Sequence, residues 1–370
     1  TLNGTAIINQ SFPVGTQVWF EVTALTSDGD FTICITSADN PPAYAPNVGD
    51  SCTNAIQLCN KQSFTTLGAP GFANSGAFLT CYGFGALNDI YYKFDVGKTG
   101  TLEWLATPSG AINLDWEVLD ITGGCPGVSI ACNYTYVPPG GQSTGMQDTS
   151  TTPCGNIGHI CQSAIVTAGN TYVIHLNNTS FLPGVGFTIS FGGTFEMAPF
   201  PSYSLTNSIG CGTLTTSIVD SSVGSTNYNW VFGNGNTFAG ANPPAQTYIA
   251  PGTYMTSLVV SNASSGCSHV TSVPVVVKEK PTADFILTDT TICIGQSTSA
   301  VYVGTATPGA TYTWNFSGAN VTSGTGQGPY TLDWPTVGSK TITLYVTENG
   351  CTSDTITKTV VVSAPPVASF

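Results

Sequence analysis

Apolar and polar residues alternate with a period of two along much of the chain, in short stretches bounded by Gly, Pro and Asn. Asp89-Ile90-Tyr91-Tyr92-Lys93-Phe94, Gly100-Thr101-Leu102-Glu103-Trp104-Leu105 and Leu114-Asp115-Trp116-Glu117-Val118-Leu119 follow it, as do Tyr254-Met255-Thr256-Ser257-Leu258-Val259-Val260 and Lys340-Thr341-Ile342-Thr343-Leu344-Tyr345-Val346. Period two places one face of each stretch in a core and the other toward solvent, which predicts half-buried strands. No stretch carries a convincing helical period; Asn54 to Cys59 makes at most one short turn. Many short strands with turn punctuation predict an all-β chain of tandem antiparallel β-sandwiches.

Internal repetition sets the domain organisation. Cys211, Tyr228-Asn229-Trp230-Val231-Phe232 and Cys267 recur as Cys293, Tyr312-Thr313-Trp314-Asn315-Phe316 and Cys351, at offsets of 82 to 84 residues by subtraction. Two tandem units follow, at 197–280 and 281–365. A second similarity links Val14-Gly15-Thr16-Gln17-Val18-Trp19-Phe20 to Ala168-Gly169-Asn170-Thr171-Tyr172-Val173-Ile174. Residues 1–47 then read as the closing strands of a sandwich, and 48–196 as a complete copy. Residues 366–370 repeat the opening of the unit at 281, so the natural chain is expected to continue. No signal peptide or membrane-spanning run is expected within these residues.

Charge changes the functional picture. Only 7% of the 370 residues are charged, against roughly 25% in ordinary soluble proteins. The seven basic residues are all Lys, and with 20 acidic residues the net charge is −13. That balance excludes a nucleic-acid partner, whose phosphates need cations, and insertion into or docking on an anionic membrane.

Twelve cysteines in such a chain predict disulfides formed in an oxidising, extracellular compartment. One bridge per C-terminal unit, Cys211 with Cys267 and Cys293 with Cys351, is the economical assignment. Cys125 with Cys132 and Cys154 with Cys161 have equal six-residue gaps and read as local staples. Cys59 with Cys81 and Cys34 with Cys52 complete the set. Zinc is disfavoured, because no Cys-x2-Cys pair exists and the three histidines are scattered.

Tyr228-Asn229-Trp230-Val231-Phe232-Gly233-Asn234-Gly235, with Pro251-Gly252-Thr253-Tyr254, resembles a PKD domain, whose hallmark is Trp-x-Phe-Gly-Asp-Gly followed by Pro-Gly-x-Tyr. Here Asn234 stands where the family has Asp. Trp314-Asn315-Phe316-Ser317-Gly318 is a degenerate copy that loses the Gly-Asp-Gly turn. The middle unit, with Cys52-Thr53-Asn54-Ala55-Ile56-Gln57-Leu58-Cys59, Asn88-Asp89-Ile90-Tyr91-Tyr92 and Ala131-Cys132-Asn133-Tyr134, is similar to Cys-rich, jelly-roll-like modules in large surface proteins of Bacteroidota. Those include gliding-motility adhesins and cargo of the type IX secretion system. The resemblance implies a Cys-rich sandwich followed by two PKD/Ig-like sandwiches, an outer-membrane-attached location on the bacterial surface, and adhesion.

Candidate chemistry is sparse. His159, His175 and His269 stand in no catalytic motif, and without Arg the usual bidentate clamp for carboxylate or phosphate is missing. Asp115 and Glu117 share one strand face, as glycoside hydrolysis would need, yet they read better as solvated charges. No enzyme is expected. Asp89, Asp115 and Asp120 at strand ends, and Asp28 and Asp30 in a loop, are hard oxygen ligands suited to Ca²⁺, the one cofactor the sequence admits; no Asp-x-Asp-x-Asp-Gly loop is present, and ordinary turn capping is the favoured explanation. Tyr82, Phe84, Tyr134 and Tyr136, near Phe72 and Phe78, lie among Gly, Asn and Ser, the composition of glycan-stacking surfaces. Trp104, Trp116, Trp230 and Trp314 read as core anchors. Thr290 and Thr355 match the Asp-Thr-x pattern of Bacteroidota O-glycosylation.

These readings converge on a non-catalytic stalk or adhesive segment of an extracellular repeat protein, with surface glycans, surface proteins and neighbouring repeats as partners. Two rivals stand: an accessory region of a secreted polysaccharide hydrolase or protease, and a self-assembling filament subunit whose incomplete first domain accepts a neighbour's strand.

Overall fold

The computed structural model describes residues 49–66, 89–134, 141–155, 158–179 and 185–365. Every regular element among them is a strand. The expectations for 1–47 and 366–370, and those for Asp28, Asp30, Cys34, Phe72, Phe78, Cys81, Tyr82, Phe84 and Tyr136, lie outside the described residues.

The first sandwich contains β1 (Ile56–Gln57), β2 (Phe64–Thr65), β3 (Asp89–Lys98), β4 (Gly100–Pro108), β5 (Leu114–Asp120), β6 (Val128–Asn133), β7 (Thr144–Gln147), β8 (Ile160–Gln162), β9 (Ala164–Val166), β10 (Thr171–Asn178), β11 (Phe187–Gly192) and β12 (Glu196–Met197). One sheet runs β1-β3-β10-β5-β6 with β12 on β3, and the other β2-β11-β4-β7-β8 with β9 on β4. The stretch where at most one turn was expected holds a turn followed by β1, which pairs parallel with β3. Alternation sends Ile90, Tyr92, Phe94, Trp116, Val118, Ile174 and Leu176 inward, where they meet Leu102, Trp104, Phe187 and Ile189 from the facing sheet. Trp104 and Trp116 pack edge to face at 5.0 Å, and the indole N–H of Trp116 donates to Thr144 Oγ1 at 2.7 Å. That bond is how a large amphipathic ring is buried without stranding its donor.

The second sandwich has a five-stranded sheet in the order Ile209–Cys211, Ser268–Lys278, Gly252–Ser261, Asn227–Val231, Thr237–Ala239, and two two-stranded sheets. Trp230, Phe232, Leu258 and Val260 form its core. The third sandwich repeats the plan: Thr291–Cys293, Ile356–Ser363, Gly338–Glu348, Thr311–Asn315 in one sheet, four strands in the other.

In both units the first-named strand pairs parallel with the last strand of the unit, Cys211 opposite Lys278 and Cys293 opposite Ser363. Two hydrogen bonds are also conserved between them. The Trp230 indole donates to Gly240 O at 2.9 Å and that of Trp314 to Gly326 O at 3.1 Å. Tyr248 Oη donates to Phe232 O at 3.0 Å, and Trp334 Nε1 to the equivalent Phe316 O at 3.1 Å. Trp334 is therefore the fully buried indole of the third sandwich. Trp314, expected as its core anchor, is half-buried and packs against the rim of that core.

Candidate functional site

Around Asp89, Tyr91, Asp115, Glu117, His175 and Asn177 the outward face of the β3-β10-β5 sheet is as buried as the inward one. His175 on β10 stands opposite Tyr91 on β3 and Glu117 on β5, and Asn177 stands opposite Asp89 and Asp115. Period two puts all six side chains on one side, away from Ile174 and Trp116. Asp89 is 0% exposed, Glu117 1% and His175 2%. His175 Nε2 lies 2.9 Å from Asp89 Oδ1, and the Tyr91 ring stacks on the imidazole at 4.1 Å. Beside them Cys52 and Ala55 cover Tyr91, Leu119, Ile121 and Val173. Asp115 and Glu117 do share a face, but they are desolvated, not the solvated charges expected. A buried carboxylate persists when it is paired, and the Asp89–His175 contact supplies that pairing. The sequence showed each residue but not that β3 and β5 flank β10, which is what assembles them.

The three carboxylates assigned to Ca²⁺ do not converge. Asp89 and Asp115 are held apart by Asn177 on the strand between them. Asp120 sits five residues further along β5, opposite Tyr172, where its carboxylate accepts from Thr122 N at 2.9 Å and Asn170 Nδ2 at 3.0 Å. Burial pushes the Asp120 carboxyl up, but the hydrogen bonds from Thr122, Asn170 and Tyr172 outweigh it and hold the group below the ordinary carboxylate range. Among the described residues no group of three His, Cys, Asp or Glu side chains is placed to hold a metal ion. Turn capping accounts for Asp120.

Of the four aromatics assigned to glycan stacking, only Tyr134 falls among the described residues; it is half-buried and its backbone N–H donates to Gly155 O at 3.1 Å. Thr290 and Thr355 are both exposed.

The disulfides depart most from expectation. Cys154–Cys161 closes its seven-residue local loop. Cys52 bonds Cys125 rather than Cys34, so Cys125 is not the mate of Cys132, which is itself in a disulfide. Cys59 bonds Cys267, 208 residues away in the next sandwich, and not Cys81. Cys211 bonds Cys351, 140 residues away in the sandwich after its own, and Cys293 is a free thiol. Strand geometry explains why neither expected intra-unit bridge forms. Cys211 lies beside Lys278 at one end of Ser268–Lys278, whereas Cys267 immediately precedes the other end. At ~3.3 Å per residue the strand separates them by more than about 30 Å, against the ~6 Å between Cα atoms that a disulfide spans. Cys293 and Cys351 are likewise at opposite ends, beside Ser363 and Glu348.

The bridges are accompanied by polar contacts. Lys278 Nζ donates to Asn349 O at 3.0 Å and Lys280 Nζ to Asp354 Oδ1 at 2.6 Å, beside Cys211–Cys351. His269 Nδ1 donates to Pro199 O at 2.7 Å, two residues from Cys267.

The PKD domain family matches residues 208–277 by sequence, so the second sandwich is a PKD domain within a multidomain β-sandwich protein. No curated protein matches the chain. Among solved structures, the fibronectin(III)-like modules of Clostridium thermocellum CbhA align at 16% identity over 44% of this chain and 95% of theirs, with a TM-score of 0.24. BT4661 of Bacteroides thetaiotaomicron, a SusE-like surface located polysaccharide binding protein, aligns at 10% identity over 44% of this chain and 34% of its own, TM-score 0.19. The insect immune protein hemolin aligns at 10% identity over 74% and 73%, TM-score 0.26. Likeness this loose assigns neither ligand nor role.

Proposed function

We propose that these residues form a non-catalytic stalk and attachment segment of a large extracellular repeat protein, its sandwiches chained covalently as spacers. The observation that carries this reading is the pair of bridges Cys59–Cys267 and Cys211–Cys351, each of which joins one sandwich to the next. A spacer must hold its modules in series under load, and bonds of this kind do so where small interfaces alone would yield.

Units at 48–196, 197–280 and 281–365, preceded by a half-domain at 1–47, are the arrangement this role implies. The disulfides belong to an oxidising compartment. The PKD match and the disulfides support an extracellular setting; the outer surface of a bacterium of the Bacteroidota, secretion by the type IX route and a part in adhesion or gliding are proposed on the resemblance of the Cys-rich unit alone. O-glycans on the exposed Thr290 and Thr355 would supply solubility that 7% charged residues do not. Surface glycans are the proposed ligand of 48–196, stacked on Tyr82, Phe84, Tyr134 and Tyr136.

A glycan-array screen of the whole chain tests the recognition claim. Saturable binding abolished by Tyr134→Ala or Tyr136→Ala supports it; no binding to any glycan removes it and leaves the segment as spacer.

A further inference from the structure

Each PKD-like sandwich carries two cysteines, one at either end. In the second sandwich both are bonded, and to different neighbours: Cys267 to the preceding sandwich, Cys211 to the following one. In the third sandwich Cys351, which occupies the Cys267 place after a Gly, is bonded to the preceding unit, and Cys293 is free. Cys293 occupies the place of Cys211. Both end a three-residue strand that runs parallel to the unit's last strand, opposite that strand's terminal residue. Both are half-buried, so the sulfur is neither sealed in the core nor part of it.

We propose that Cys293 is a staple site: it forms a disulfide with a cysteine that follows a Gly at the Cys267/Cys351 place of a further sandwich of this type, docked against the end of the third sandwich. The second sandwich supplies the independent ground, since there the equivalent sulfur is bonded to a mate of this description. Both such mates among the described residues, Cys267 and Cys351, are occupied, and they are equally occupied in a second copy of the chain. The mate therefore belongs to another sandwich. Ser363 stands in the Lys278 place opposite Cys293, so the further junction would rest on the disulfide without the contact that Lys278 makes to Asn349 O in the first.

The step is an oxidation. Two thiols lose two protons and two electrons as the S–S bond forms, and the electrons pass by thiol–disulfide exchange to a dithiol–disulfide oxidoreductase of the oxidising compartment, whose disulfide is reduced to a dithiol. The inference rests on the serial arrangement of sandwiches and not on glycan recognition, so failure of the array screen leaves it standing.

The test is peptide mapping of the protein as secreted by its native cell, alkylated with iodoacetamide before any reduction. Cys293 is expected to go unlabelled and to appear in a disulfide-linked peptide whose other half contains a Gly-Cys pair, with labelling becoming complete after reduction. In a Cys293→Ser strain that same Gly-Cys peptide is expected to become labelled at one equivalent per chain. Cys293 labelled without reduction overturns the proposal. So does a linked peptide whose other half is a second Cys293, or a Cys293→Ser protein that gains no new thiol.

Discussion

Cys211 and Cys351 lie in different sandwiches, 140 residues apart, yet their Cα atoms are 5.7 Å apart and their sulfurs are bonded. Neither PKD-like sandwich has a disulfide within itself among the described residues. Each must therefore hold its fold by its core, and the bridges act on how one sandwich is held to the next.

Removing that bridge is a single event whichever sulfur is deleted. For a closed loop of 140 residues the chain-entropy relation gives about 5 kcal/mol. Cys211→Ser and Cys351→Ser should lower the denaturation midpoint equally, and the double variant should fall no further than either. Additive losses in equilibrium denaturation, followed by Trp fluorescence, would show that the two sulfurs act separately.

Asn234 departs from the Asp of the resembled PKD hallmark, and its amide uses the difference. Nδ2 donates to Thr247 O at 3.3 Å and to Gln246 Oε1 at 3.4 Å, while Oδ1 accepts from Asn236 N at 3.1 Å. Asn234→Asp keeps the acceptor and loses both donors, so urea denaturation of the PKD domain should show a loss of about 1 kcal/mol. A variant at least as stable as the parent contradicts this.

His175→Leu removes one hydrogen-bond partner of a carboxylate that is fully buried. Losing a hydrogen bond to a buried charged group costs about 1.5–3 kcal/mol, so thermal unfolding of the first sandwich should move downward. His175→Gln, which restores a donor, should recover part of it. Equal stability of the Leu variant and the parent would mean that Asp89 does not depend on His175.

Asp120 gives the first sandwich an acid limb. Its carboxyl is held below the ordinary range, so the stabilisation is complete above that range and fades as pH falls through the lowered value. Asp120→Asn should flatten this part of the pH–stability profile and lower stability near neutrality, where the stabilisation by the ionised carboxylate is complete, the two profiles converging as pH falls below the lowered value. An unaltered acid limb in the variant would assign it elsewhere.

Strand positions, the PKD unit and its degenerate copy were legible because period-two patterning and an aromatic signature are local. Register was not. That Cys211 lies beside Lys278 and not beside Cys267 follows only from the parallel pairing of a unit's early strand with its last, a long-range fact that spacing does not encode. The same limit hid the Asp89–His175 contact, which needs β3 and β10 to be neighbours, and made Asp115 and Glu117 read as solvated. Trp334 was missed because its equivalent in the preceding unit is a tyrosine, with the hydrogen bond kept and the residue type changed.

In the proposed spacer role the bridges, and not the chain between them, carry load along the array. From Cys59 to Cys351 the backbone runs 292 residues by subtraction, but the path through both bridges uses only the 56 from Cys211 to Cys267. Stretching single molecules by their ends should therefore yield, under reducing conditions, about 85 nm more extensible length than under oxidising ones, at ~3.6 Å for each of the 236 residues released. Equal extension with and without reductant would contradict it.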